Sequence, residues 1–283
     1  MVRSPHETST QIRFLTALFK EFKKSKIVSF QEGGIGKFYY QKNYENYSLI
    51  GTDYFLQWSN LKTKNNVFNF YLTKTFWKKD YDIPKNEKIL LILGSFRKIF
   101  FSYYEGHLPD YSFVQLQQIK DLLKDKRIFQ RSKIRFHKDF GFKEKKYLQK
   151  IYKTIKISTR EEVPYFYDLL SEFSLKIFFS DYTANMQSMI INHPTILIFD
   201  KLKLKNNRIY SNIYEDLYKS NILFYSVRDL IRFVNNNLNS HEKIFKWWFS
   251  QDVQETRKKY LSIMCRMSES IDKELFKIIK KIK

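Results

Sequence analysis

Leu175-Lys-Ile-Phe-Phe-Ser-Asp-Tyr-Thr-Ala-Asn-Met-Gln-Ser-Met-Ile-Ile-Asn-His-Pro-Thr-Ile-Leu-Ile-Phe199 is the stretch that decides the fold of this chain. Two short, mostly apolar runs, Leu175–Phe179 and Thr195–Phe199, enclose a segment, Tyr182–Asn192, that reads as a helix. Runs of this kind mark strands buried on both faces, as in a parallel sheet covered by helices on both sides. Strand, helix and strand in that order form one crossover unit.

The alternation continues in both directions. Upstream, Lys88–Gly94, Ser132–Phe136 and Thr154–Ser158 read as strands. Between them Tyr111–Lys126, with Phe113, Leu116, Ile119, Leu122 and Leu123 at helical spacing, Glu144–Lys153 and Val163–Phe173 read as helices. Downstream follow a helix at Ile213–Lys219, a strand at Ile222–Tyr225 and a helix at Ser226–Asn237. This predicts a doubly wound, Rossmann-like parallel sheet. From Ser250, a candidate N-cap, Val253, Tyr260, Leu261 and Met264 continue one apolar face, and Ile271, Leu275, Phe276 and Ile279 mark a last helix with a basic tail.

The amino-terminal part is smaller. Residues 11–26 place Ile12, Leu15, Leu18, Phe19 and Phe22 at helical spacing, Ile27–Phe30 is prone to form a strand, and Gln31-Glu-Gly-Gly-Ile-Gly-Lys37 holds three of the seven glycines. A strand followed by a glycine-rich turn exposes backbone N–H groups to a ligand. Residues 60–87, polar and basic, read as a connector. The expected division is therefore 1–84, a partial N-terminal α/β domain; 85–249, a complete Rossmann-like domain; and 250–283, helices packing back across both.

Composition limits the function classes. Of 283 residues 43% are hydrophobic and 18% aromatic, enough core material to exclude wholesale disorder. One cysteine, Cys265, excludes a disulfide framework and a cysteine-based zinc site and fits a reducing compartment. No uninterrupted apolar run approaches the ~20 residues of a membrane-spanning helix, and the first residues lack the apolar core of a secretory signal, so the expected location is cytoplasmic. The net charge of +22 has two readings. It suits a polyanionic partner, whether nucleic acid, an acidic membrane face or a phosphorylated substrate. Equally, 39 Lys against 12 Arg, with abundant Asn, Ile, Phe and Tyr, is what AT-rich codons produce without selection for binding.

In such a sheet, ligands sit beyond the carboxyl ends of the strands, which directs attention to the loops after Leu93, Phe136, Ser158, Phe179 and Phe199. After Phe179, small and hydroxyl residues open a helix whose free N–H groups and dipole suit a phosphate, with Gln187 one turn in, placed for ribose hydroxyls. Asp181 or Thr183 also reads there as a plain helix cap. After Phe136, Arg135 in the strand needs a charge partner, for which Asp139 is the candidate, and His137 is a general acid/base by residue type. Arg97, just past Leu93, suits an anion and solvent equally. Gly33-Gly-Ile-Gly-Lys37 is not a Walker motif, because Phe38 stands where Ser or Thr is required. The spacing of the histidines gives no metal site, and there is no nucleophile elbow, zinc finger or RNA-recognition signature.

Five blocks, in order over residues 29–283, together resemble a family of bacterial transferases found with surface-polysaccharide biosynthesis. Its members are similar to GT-B glycosyltransferases and, more distantly, to CDP-glycerol glycerophosphotransferases. The blocks are Gln31–Lys37; Arg135 through Asp139-Phe-Gly-Phe142; Tyr182 through Asn192-His-Pro-Thr195; Leu217 through Asn221-Ile-Leu-Phe224; and Trp247-Trp248 followed by Val253-Gln-Glu-Thr-Arg257. The last is the most distinctive.

The resemblance implies a GT-B architecture: two Rossmann-like domains across a cleft, a nucleotide-activated sugar or CDP-glycerol as donor, a lipid-linked or surface glycan as acceptor, and no metal or other cofactor. Gly33, Gly34 and Gly36 would form the N-terminal loop at the cleft, with Arg97, Arg135, Asp139, Tyr182, Thr183 and Gln187 on the donor side. Glu32 and His137 would be the candidate catalytic groups. Glu32 stands where the family carries His, Gln187 stands where it carries Glu, and family members are longer chains. The expected function is thus a GT-B-type glycosyl or glycerophosphate transferase, with an anionic inner membrane face as an expected place of action. The alternative is a non-catalytic or split donor-binding half completed by a partner chain; nucleic-acid binding rests on net charge alone.

Overall fold

The computed structural model describes residues 2–3, 10–23, 26–31, 52–58, 67–70, 82–93, 96–97, 109–136, 139–140, 144–159, 162–163, 166–181, 183–199, 208–265 and 271–282. The larger sheet has six strands: β5 (Ile89–Leu93), β7 (Ser132–Phe136), β9 (Lys156–Ser158), β10 (Leu175–Phe178), β11 (Thr195–Ile198) and β12 (Leu223–Phe224). All neighbours are parallel and the spatial order is β12-β11-β10-β5-β7-β9. The chain therefore winds outward from β5 to β9, returns to place β10 on the other side of β5, and winds outward again. This is the two-halved Rossmann arrangement, with its reversal point between β5 and β10.

The apolar runs explain why the sheet is sandwiched. Along β5, Leu90 and Ile92 pack into one hydrophobic cluster and Ile89, Leu91 and Leu93 into the other. Alternate side chains point to opposite faces, so both faces of this strand must be covered. On the first face lie α5 (Phe166–Leu170), α6 (Thr183–Ile190), α7 (Arg208–Lys219) and α10 (Gln251–Met264), contributing Leu169, Met186, Met189, Tyr214, Leu217, Tyr260 and Leu261. On the second lie α2 (Pro109–Leu123), α3 (Lys126–Arg131), α4 (Glu144–Ile151) and α8 (Val227–Asn237), contributing Ile119, Leu122, Ile128, Leu148, Leu230 and Val234. A further helix, α9 (His241–Trp248), sends Trp248 to the first cluster and Ile244 to the second.

The smaller sheet is built from β1 (Val2–Arg3), β2 (Val28–Phe30), β3 (Tyr54–Gln57) and β4 (Val67–Asn69), all parallel and in that spatial order. Helix α1 (Thr10–Lys23) connects the first two. Leu56 and Phe70, with Val28, Phe30, Tyr54 and Phe68, receive Leu275, Ile278 and Ile282 of α11 (Ile271–Lys281) and the residue after it. The carboxyl-terminal helix thus returns to the amino-terminal sheet. Trp58, just past β3, is 1% exposed and belongs to the cluster on the first face of the large sheet.

Several expectations change. The stretch read as a connector contains β4, which its polar, basic surroundings obscure. The long helix expected over 111–126 is two helices: Asp125 caps the second, accepting from the backbone N–H of Arg127 (3.0 Å) and Ile128 (3.1 Å). Ser250 sits at the start of α10 without a side-chain cap bond, because its hydroxyl donates to the Trp247 carbonyl (2.7 Å) instead. Each of the six strands expected from 88 to 225 is present, with ends within about two residues of those expected.

Candidate functional site

In doubly wound sheets ligands bind beyond the carboxyl ends of the strands at the point where the order reverses, which here is between β5 and β10. The segments leaving β5 and β7 are drawn together there by two short strands, β6 (Phe96–Arg97) and β8 (Asp139–Phe140). They pair in parallel, Phe96 with Asp139 and Arg97 with Phe140. The backbones of two expected donor residues, Arg97 and Asp139, are therefore neighbours, although their side chains lie outside the described residues. Two-residue strands leave no periodicity to read, which is why sequence reasoning missed this ladder.

Arg135 is next to last in β7 and only 5% exposed. In register it stands between Ile92 of β5 and Ser158 of β9. Its guanidinium carbon lies 5.7 Å from the centre of the Phe166 ring, a cation–π contact worth ~2 kcal/mol when desolvated. Ser158, also buried, has a hydroxyl with no hydrogen-bond partner among the described residues. The turn that follows is fixed: the Thr159 N–H donates to Glu162 Oε2 (2.9 Å), and Lys145 holds the other carboxylate oxygen. That lysine is the main reason the Glu162 carboxyl titrates below its ordinary range.

After β10 the chain reaches Asp181 and then α6. The Phe179 carbonyl accepts from Gln115 Nε2 (2.7 Å), which pins the strand exit to α2. Thr183 opens α6 and Gln187 lies one turn later, both half-buried and on one face of the helix. Asp181 is not the cap that one reading expected. Its carboxylate is buried and accepts from Asn185 Nδ2 (2.9 Å), the Tyr260 hydroxyl (2.8 Å) and the Tyr214 hydroxyl (2.5 Å). Burial pushes its pKa up, and the three hydrogen bonds work against that shift. Burial and the neighbouring Asp181 carry Tyr260 well above the ordinary phenol value. These partners lie 33 and 79 residues away in sequence, so no local signal could reveal the cluster.

On the amino-terminal side, Gln31 follows β2; its N–H donates to the Leu56 carbonyl (2.9 Å) and its Oε1 accepts from the Trp58 N–H (2.9 Å). The start of the glycine-rich segment is thereby tied to the end of β3. Glu32, Gly33, Gly34, Gly36, His137 and Tyr182 lie outside the described residues. Among the described residues no group of three or more His, Cys, Asp or Glu side chains comes together.

The most distinctive sequence blocks lie at the opposite edge. Asn192 and Asn221 have φ of 58° and 59°, the left-handed region, and each ends a helix. His193 N–H returns to the Ser188 carbonyl (3.0 Å) and Ile222 N–H to the Leu217 carbonyl (2.9 Å), the six-to-one bonds of a Schellman cap. Trp248 Nε1 then donates to the Asn192 carbonyl (2.9 Å) and its Oδ1 (3.0 Å), Gln254 Nε2 to the Trp248 carbonyl (2.7 Å), and Arg257 to the Met189 carbonyl (2.6 Å). The Asn-His-Pro and Trp-Trp…Val-Gln-x-x-Arg blocks are one clasp on the end of α6.

The profile of LIC12162 family transferases matches residues 2–279. The chain belongs to that family. No curated protein matches the sequence. Among solved structures, this member of the family is similar to S. aureus TarM in complex with fondaparinux, alpha-GlcNAc-glycerol and UDP: TM-score 0.51, 12% identity, 93% of this chain and 53% of that one. It is also similar to S. aureus MnaA bound to UDP, with TM-score 0.51, 10% identity, 94% of this chain and 76% of that one. The chain thus spans about half the length of TarM. At these identities the likeness concerns the fold, which is the α/β, GT-B-like architecture that the resemblance implied.

Proposed function

We propose that this LIC12162 family protein is a GT-B-type transferase, or the donor-binding part of one, moving a glycosyl or glycerophosphate group from a nucleotide-activated donor to a surface glycan acceptor. The observation that carries this reading is the placement of Arg135 near the carboxyl end of β7 and of Thr183 at the start of the helix that follows β10, on the carboxyl edge of a sheet whose strand order reverses there. Both similar structures contain UDP. In this reading the Arg135 guanidinium and the amino-terminal turn of α6 neutralise the donor diphosphate, and Gln187 reaches the ribose. Arg97, Asp139 and Tyr182 complete the donor side, Gly33, Gly34 and Gly36 the opposite wall, and Glu32 and His137 are the candidate proton carriers. Residues 85–249 hold the donor, 1–84 face the acceptor and 250–283 fasten the two.

A cytoplasmic protein touching an anionic inner membrane face agrees with the charge of +22 and with the lack, among the described residues, of a helix long and apolar enough to cross a membrane. A second reading, a non-catalytic or split half completed by another chain, is favoured by Glu32 standing where the family carries His.

Thermal unfolding with UDP-, CDP-, GDP- and CMP-sugars and CDP-glycerol tests the donor reading. A ligand at one hundred times its Kd stabilises the native state by about 2.7 kcal/mol. One nucleotide class should raise the midpoint, and no shift with any of them would overturn the proposal.

A further inference from the structure

Helix α6 is eight residues long, about 12 Å, too short to be stable by itself. Its place is set by what grips its ends. At the carboxyl end the grip is the Schellman cap and the Arg257 bond to the Met189 carbonyl. At the amino end it is Asp181. That carboxylate joins Asn185 of α6 to Tyr214 of α7 and Tyr260 of α10, and Asn185 Nδ2 also reaches the Tyr260 hydroxyl (3.2 Å). All four side chains are at most 3% exposed. Helix α10 therefore holds α6 at both ends, through Arg257 and through Tyr260 one turn later.

An acceptor placed before a helix ordinarily bonds the first-turn N–H groups. Asp181 makes no such bond among the described residues; both its oxygens are taken by side chains of three helices. Burying a carboxylate costs several kcal/mol, offset here by hydrogen bonds to a charged group worth roughly 1.5–3 kcal/mol each. A cap needs no such arrangement; a device that fixes one helix against two others does.

We propose that Asp181 is a positioning residue for the donor site, setting where the first turn of α6 stands and hence how tightly the protein holds a nucleoside diphosphate. This rests on the donor reading given above. Asp181 does not touch the donor. It acts through the backbone of residues 183–186, with Tyr260 and Tyr214 as its supports, so its loss is felt by the phosphates and not by the base. Stretching one hydrogen bond to a charged phosphate weakens binding by about ten-fold or more.

The test uses the full chain with D181N, Y260F and Y214F at a temperature where each is folded by circular dichroism. Calorimetry measures UDP and CDP; NMR titration measures uridine and cytidine; amide hydrogen exchange is followed over residues 183–190. The expected result for D181N is about ten-fold weaker binding of whichever diphosphate the wild-type protein prefers. Affinity for the matching nucleoside should stay within two-fold, with faster exchange confined to the first turn of α6. If D181N does not fold, Y260F carries the test, with the same pattern at smaller amplitude. Wild-type diphosphate affinity in the folded variants, or equal loss for nucleoside and diphosphate, would overturn the inference while leaving the donor reading intact. A wild-type protein that binds neither UDP nor CDP, and that no nucleotide of the thermal panel stabilises, would overturn both.

Discussion

At the amino edge of the six-stranded sheet Lys176, Ser188, Asn192, His193, Thr195, Trp248, Gln254 and Arg257 are bonded to one another or to nearby carbonyls. At the carboxyl edge the Ser158 hydroxyl, and beyond β3 the Trp58 indole N–H, are buried with no hydrogen-bond partner among the described residues. The more distinctive sequence lies at the amino edge. Its blocks are spelled by helix termination and clasp chemistry, while the carboxyl edge is spelled by scattered residues in loops. Distinctive text identifies the family here, and it spells how two helices end and are held.

The largest effect should come from breaking the amino edge. Trp248→Ala removes a fully buried indole that bonds Asn192 twice, and such truncations cost about 3–5 kcal/mol. Urea unfolding should show that loss, while nucleotide affinity measured in the cold, where the variant is still folded, should be close to wild type. Lost affinity at full folding would mean that the two edges are not separable.

The complementary change is Arg135→Met. The change removes the cation–π contact with Phe166, so the unfolding free energy should fall by about 2 kcal/mol, and affinity is compared at a temperature where the variant is folded. Diphosphate affinity should fall about ten- to a hundred-fold, the equivalent of one or two charge-assisted hydrogen bonds. Calorimetry beside urea unfolding separates the two quantities, and a stability loss without an affinity loss would move Arg135 from ligand binding to structure.

How far these residues were legible differs between the edges for a physical reason. The six strands could be read because burial on both faces demands apolar runs, and Arg135 stood out as a charge inside one of them. Asn192 and Asn221 were visible as letters, but their left-handed backbone is a property of three-dimensional helix endings. Tyr54–Gln57 and Val67–Asn69 were lost because strands of three or four residues in polar text carry too little period. The Asp181 cluster and the ladder of β6 and β8 are built wholly from distant pairings, which one sequence does not display.

Lys176 sharpens the comparison through pH. It is wholly buried in β10, with Nζ 2.6 Å from His193 Nδ1, and burial holds its pKa well below the ordinary 10.5. The unfolded chain therefore binds one proton more at this lysine than the native state over the interval from the lowered native value up to 10.5. Stability should rise with pH across that interval, by up to about 1.4 kcal/mol per unit, and weaken as pH falls toward the native value. Lys176→Met should be more stable than wild type at neutral pH and should lack this component of the slope. Parallel slopes for the two proteins in urea unfolding between pH 7 and 9 would show that Lys176 is charged in the fold.

The smallest effect distinguishes the two asparagines. Both hold φ near 60°, where glycine is at no steric disadvantage, so backbone conformation alone predicts that Asn192→Gly and Asn221→Gly behave alike. Their side chains differ. Asn192 Oδ1 accepts from Trp248, whereas the turn at Asn221 is closed by backbone bonds, with Trp247 Nε1 reaching the adjacent Ser220 carbonyl (3.2 Å). Asn221→Gly should therefore change stability by less than about 0.5 kcal/mol, and Asn192→Gly should cost about 1 kcal/mol for the lost bond. In a double-mutant cycle with Trp248→Phe, which removes the indole N–H, the Asn192 cost should disappear and the Asn221 value should stay put. An Asn192 cost that survives in the Trp248→Phe background would mean that the turn itself, and not the clasp, makes this residue matter.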